Sequence, residues 1–137
     1  MTSSHQFLHP KNWKPAVGYS NGVAASGRMV FTGGLVGWNA SQEFETDDFS
    51  GQAEQALRNI VSVLAEAGAQ PNHLVRLTWY VTDKQEYLAS LKDLGRTYRE
   101  IIGKHFPAMA LVQVVALVED RAKVEIEATA VIPHAGD

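Results

Sequence analysis

The chain has 137 residues, 45% of them hydrophobic, with 12 basic and 15 acidic side chains and a formal net charge of −3. That length and apolar content suit one domain with one core, spanning 1–137, and the acidic balance argues against a nucleic-acid backbone binder. The absence of cysteine excludes disulfides, zinc ribbons and thiol catalysis, and a cytoplasmic setting is expected. No apolar run suits a signal peptide or a membrane span, and no repeat is present.

Residues 1–15 read as an extended N-terminal arm, since Pro15 biases Lys14 away from helix. Two short strands follow, Gly18–Ala25 and Arg28–Thr32. The Ser26-Gly27 turn signal between them predicts a hairpin. Gly33, Gly34 and Gly37 then suit a bulge or a bend with close approach. A helix is predicted over 50–67, because Ala53, Leu57, Ile60, Leu64 and Ala67 form one stripe. Asp47, Asp48 or Ser50 caps its start and Gly68 its end. Leu74–Val81, rich in β-branched and aromatic residues, reads as a strand.

Asp83 and Glu86 form a capping-box pair for a second helix, with Tyr87, Leu91, Leu94, Tyr98 and Ile101 as its stripe. Gly95 lies mid-helix at a cost of about 1 kcal/mol relative to alanine. The last quarter reads as a strand pair, Ala110–Leu117 and Lys123–Ile132, joined by a turn over Glu119–Ala122. The fold class is therefore α+β, a mostly antiparallel sheet with two helices packed on one face.

The other sheet face holds Glu125, Glu127 and Thr129 on the last strand and Arg76, Thr78 and Tyr80 on the middle one. The Ala110–Leu117 strand is apolar on both sides, so one side would be exposed unless another copy covers it. Self-association through this face is expected.

The five histidines, His5, His9, His73, His105 and His134, fall in the arm, loops and tail and read as solvated. None has metal-ligand spacing with an acidic residue, so no metal site is expected. The Gly33-Gly34 run lacks the spacing of a dinucleotide fingerprint. Glu125 and Glu127 are the best acid/base candidates, because a carboxylate enclosed at an interface gains a raised pKa and can activate a water. Two solvated strand carboxylates, bridged to Lys123 or Arg76, are the simpler alternative.

Several landmarks together resemble the reactive intermediate deaminase (Rid/YjgF) family. These are Gly18–Val23 with Tyr19, Thr32-Gly33-Gly34, the Gln52–Gly68 helix, Phe106-Pro107-Ala108 and Val124–Ala128. The resemblance implies a chorismate-mutase-like fold, a homotrimer with sheets facing inward, and a small-molecule ligand in each cleft between subunits. It implies hydrolysis of enamines or imines to carbonyl compounds and ammonia, without metal or organic cofactor. Glu125 matches the family glutamate that positions the water, Tyr19 the pocket tyrosine, and Gly33 a position often held by serine.

The arginine that grips the substrate carboxylate after Pro-Ala is here Met109, which cannot form a two-pronged charged contact. A substrate different from 2-aminoacrylate is therefore implied, in a greasier pocket shaped by Met109, Trp38 and Tyr19. Arg76 and His105 are candidate replacement cations. A non-catalytic, metabolite-sensing trimer is the alternative. Ribonuclease activity, a label some relatives carry, fits the acidic balance poorly.

Overall fold

The computed structural model describes residues 5–135, so Met1–Ser4 of the expected arm and residues 136–137 lie outside the described residues. In chain order the elements are β1 (Gln6–Leu8), β2 (Gly22–Ala24), β3 (Arg28–Phe31), β4 (Leu35–Val36), α1 (Phe49–Glu66), β5 (Leu74–Val81), α2 (Lys84–Ala89), α3 (Leu91–Ile101), β6 (Ala108–Gln113) and β7 (Val124–Ile132). The fold is α+β, with the helices on one face of a mixed sheet.

β7 organises that sheet. Val124, Ile126, Ala128 and Ala130 alternate into the core, while Glu125, Glu127 and Thr129 point away. One edge of β7 pairs antiparallel with β3 and β4, and the other with β5. β6 lies outside β5 and runs parallel to it. The expected β6–β7 hairpin is therefore absent. The β5–β6 connection passes through both short helices, as a parallel crossover requires.

The first predicted hairpin also fails. β2 pairs antiparallel with β1 of the arm, while β3 joins β7 in the main sheet. Gly27 is a sharp junction with φ 149°, and a Cβ there would collide with the Ile132 carbonyl. It carries the chain from one sheet to the other instead of closing a hairpin. The arm is thus anchored. Ser20 bridges to Ala108 at the start of β6, and the buried His5 donates from Nε2 to the Val131 carbonyl at 2.9 Å.

α1 buries Ala53, Leu57, Ile60 and Leu64 as its stripe predicts, and Asp48 Oδ2 accepts from Gly51 N–H to cap its start. The second predicted helix is broken in two at Ser90. Its hydroxyl donates to the Glu86 carbonyl at 2.8 Å, a back-bond that competes with the helical ladder. Asp83 caps α2 by accepting from the Gln85 and Glu86 amides, while the Glu86 carboxylate reaches Lys123 at 2.9 Å.

The Gly33-Gly34 run is a bulge. Pairing to β7 slips by one residue between Phe31–Thr129 and Leu35–Ile126. Gly37 is a true close approach, since a Cβ there would strike the Gln52 backbone of α1. Gln52 itself is fully buried. It donates to the Thr46 and Arg121 carbonyls and accepts from Lys123 N–H, fastening the 114–123 loop to α1. Among the described residues, no helix is long and apolar enough to cross a membrane.

Candidate functional site

Apart from Trp38, the expected site residues fall into two groups on opposite faces of the sheet. Glu125 belongs to the open face. It stands opposite Tyr80 on β5 and Val36 on β4, and its carboxylate rests on Gly34, where any Cβ would collide with Oε2. The bulge gives Glu125 this glycine platform. Gly33, next to it, has open space where a side chain would project.

Glu127, two residues on, accepts from the Tyr80 hydroxyl at 2.9 Å. That hydrogen bond comes first among the causes that raise the Tyr80 pKa above its ordinary value, followed by desolvation and the charges of Glu127 and Glu125. Lys123 pairs with Glu86, not with a strand glutamate, and Arg76 pairs with neither. Among the described residues, the Glu125 carboxylate makes no hydrogen bond or ion pair. Its lone pairs are open to a water or a substrate proton.

This face is also apolar in part. Met29 and Phe31 of β3 are 57% and 65% exposed, and Val112 of β6 is 45% exposed. The sequence reading anticipated the exposed β6 stripe but not Met29 and Phe31. Their outward direction follows only from the β3–β7 register, with Phe31 opposite Thr129.

The second group lies on the helix side. Met109 stands opposite Leu77 on β5 and packs against the core. With Tyr19 it lines a cavity of about 1250 Å³ between the 16–20 segment, α3 and the β5–β6 edge. Aromatic side chains dominate the walls, with Phe7, Trp79, Tyr87, Tyr98 and Phe106 joining Tyr19. Tyr98 and Phe106 stack at 5.4 Å, and the Tyr98 hydroxyl donates to the His105 carbonyl at 2.6 Å. Burial pushes the Tyr98 pKa far up. Trp38 does not line this cavity. It packs on Phe44 with ring centroids 5.7 Å apart, and its carbonyl accepts from Asn59.

The solvated reading fails for two histidines. His5 and His105 are only 7% and 9% exposed. Their rings lie 6.5 Å apart, and Phe7 meets His105 edge-on at 5.6 Å. His105 Nε2 donates to the Leu74 carbonyl at 2.7 Å. Burial lowers the His105 pKa, outweighing that hydrogen bond, which raises it. His73 is lowered too, first by desolvation and then by the charges of His5 and His105. Burial thus disfavours the charged form of His105, which lines the same cavity as Met109. Arg76 is on the open face, away from Met109. Among the described residues, no three metal-ligating side chains converge as a metal ion would require.

A mixed sheet with helices on one face, an open glutamate-bearing strand and a lateral aromatic cavity defines the class of fold. The family model described as Endoribonuclease L-PSP matches residues 10–132. The chain is 33% identical over 125 residues to the 2-iminobutanoate/2-iminopropanoate deaminase of Salmonella typhimurium, covering 88% of this chain and 93% of that one. It is 37% identical over 131 residues to Protein DfrA of Myxococcus xanthus, covering 90% and 93%. The crystal structure of YyfB from Yersinia pestis, a Rid-family protein of unknown function, superposes with a TM-score of 0.85 at 32% identity, covering 95% and 100%. That of E. coli TdcF with bound serine gives 0.65 at 28% identity, covering 93% and 98%. The chain belongs to the Rid/YjgF family.

Proposed function

We propose that this protein hydrolyses a reactive imine or enamine to a carbonyl compound and ammonia, as a homotrimer whose sites lie between subunits. The observation that carries the reading is the Glu125 carboxylate, without a hydrogen-bond or ion-pair partner among the described residues and seated on Gly34 of an open sheet face. Two relatives speak for small nitrogen-bearing substrates: one is named an imino-acid deaminase, and another was crystallised with bound serine. In this reading the chain is one Rid-type domain over 1–137, acting in the cytoplasm.

The chemistry needs one proton acceptor. Glu125 takes a proton from water as its oxygen adds to the C=N carbon, giving a carbinolamine. The proton passes to nitrogen; Glu125 then takes the remaining hydroxyl proton of the carbinolamine and relays it to the amino group, so that the C–N bond breaks and ammonia leaves as the carbonyl forms. Atoms balance: imine plus water gives carbonyl plus ammonia. An enamine first takes a proton on carbon to become the imine. No cofactor is required.

On one chain Glu125 and the Tyr19–Met109 cavity face away from each other. A shared site resolves this: Glu125 and Gly33 of one copy meet Tyr19 and Met109 of the next. The exposed Met29, Phe31 and Val112 would be the contact that holds the copies together. Because Met109 stands in the place of the family arginine, the substrate differs from 2-aminoacrylate. Trp38 would act from behind, through its packing on Phe44.

Ammonia release from a panel of enzymatically generated imines tests the reading. Glu125→Gln is expected to lower kcat by roughly 10²–10⁴-fold, the scale of a lost general base. Full activity in that variant, with the fold intact by circular dichroism, would remove Glu125 from the mechanism.

A further inference from the structure

The large cavity has a charge pattern unlike the rest of the chain. Acids outnumber bases overall, 15 to 12. Around the cavity, Arg99 and Lys104 are the fixed charges, and no aspartate or glutamate lines it. Neither cation is in an ion pair among the described residues. Arg99 lies in the last turn of α3, and its guanidinium folds back over Gly95, where a Cβ would stand 3.5 Å from Nη1. Gly95 lines the cavity as well. Gly95 and the Arg99 guanidinium thus form adjacent parts of the same cavity wall.

We propose that this cavity takes an anionic small molecule with an aromatic or branched apolar body, in the simplest case a carboxylate, and that Arg99 holds the anion with Lys104 beside it. The proposal rests on the reading of the cavity as half of the imine-hydrolysing site, and it names the substrate class for that site. A planar guanidinium matches a carboxylate with two parallel hydrogen bonds. The volume of about 1250 Å³ is far more than a three-carbon imino acid fills, and it exceeds the roughly 300–1,000 Å³ usual for drug-sized ligands. Met109, Trp79 and Leu111 would receive the apolar body, and methionine adapts readily to such shapes. The anion-holding cation is thereby moved from the sheet to the helix, which lengthens the cavity between charge and reacting carbon.

Titration calorimetry with three probes tests this: phenylpyruvate, pyruvate, and phenylacetone, which replaces the carboxylate of phenylpyruvate by a methyl group. Phenylpyruvate is expected to bind about tenfold or more tighter than either of the others, the scale of one hydrogen bond to a charged group. Arg99→Met should erase the advantage over phenylacetone, and Arg99→Lys should keep part of it. Gly95→Leu fills the wall while strengthening the helix, so weaker phenylpyruvate binding with a raised Tm is expected. Unchanged phenylpyruvate affinity in Arg99→Met, or equal affinity for phenylacetone, overturns the proposal. Arg99-dependent binding without ammonia release from any imine would sink the hydrolase reading alone. Glu125-dependent turnover indifferent to Arg99 would sink this one alone.

Discussion

The two faces of the sheet differ in how they use their polar groups. On the helix side, the charged groups lining the aromatic cavity are Arg99 and Lys104, which stand there without acids. On the open side, carboxylates and a tyrosine sit in the middle of the strands, flanked by exposed Met29 and Phe31. Strand alternation makes this division strict. Glu125 shares a face with Glu127 and Tyr80, whereas Met109 shares one with Leu77 and the core. Neither face of one chain holds both a proton acceptor and an anion-holding cation beside the cavity. In the proposed reading, chemistry needing both draws on two copies of the sheet.

The largest expected effect comes from breaking that arrangement. The double variant Met29→Asp, Phe31→Asp places charge on the open face. It should reduce the assembly to monomers in sedimentation velocity while the circular dichroism spectrum persists. Ammonia release should fall about a hundredfold or more, since even small misplacement of reacting groups costs that much. A fully active monomer would show that one chain suffices and would dissolve the comparison.

A smaller effect sharpens the open-face half. Gly34→Ala is compatible with the backbone, because Gly34 has no positive φ, but its methyl group would push the Glu125 carboxylate aside. Turnover should drop about ten- to a hundredfold with KM little changed, measured by steady-state ammonia release. Unaltered kcat would mean that the platform under Glu125 is unimportant.

The smallest effect belongs to the cavity side. His105 and His73 have pKa values lowered from 6.5, so around that pH the folded chain binds fewer protons than the unfolded one. Their contribution is fully present above about pH 6.5 and is lost as pH falls through that value toward the folded pKa. Thermal scans should show Tm falling by a few degrees between about pH 7.5 and 5.5. His105→Gln, whose amide can still donate to the Leu74 carbonyl, should flatten the profile. A wild-type Tm that does not fall over this range would contradict the lowered pKa values of these rings.

Local pattern made much of this molecule legible. The α1 stripe, the alternation of β7 and the buried side of β5 all follow from periodicity. Strand neighbours did not, because pairing is decided by distant segments. Ser26-Gly27 has hairpin chemistry, yet β7 outcompetes β2 as the partner of β3. The apolar β6 looked like half of a hairpin because a parallel edge strand and a hairpin strand carry the same residues. His5 and His105 looked solvated because single polar residues in loops carry no period that reports burial. At the site, strand alternation pointed to Glu125 and Glu127 together and the resemblance singled out Glu125, Tyr19 and Met109, while Arg99 was hidden on the polar flank of a helix. Its only sequence trace was the glycine four residues before it.

The one-residue slip at Thr32–Gly34 sets backbone regularity against the seat of Glu125. Shortening that stretch by one residue would let β3 and β4 run as a single regular ladder along β7, with Leu35 still turned toward the core. The shorter chain would have every reason to fold, and by the measure of backbone regularity it would be the better fold. If Gly34 were the residue removed, the chain would also lose the glycine on which the Glu125 carboxylate rests. Selection for thermal robustness alone would therefore favour trimming this segment, whereas selection for turnover would hold its length fixed.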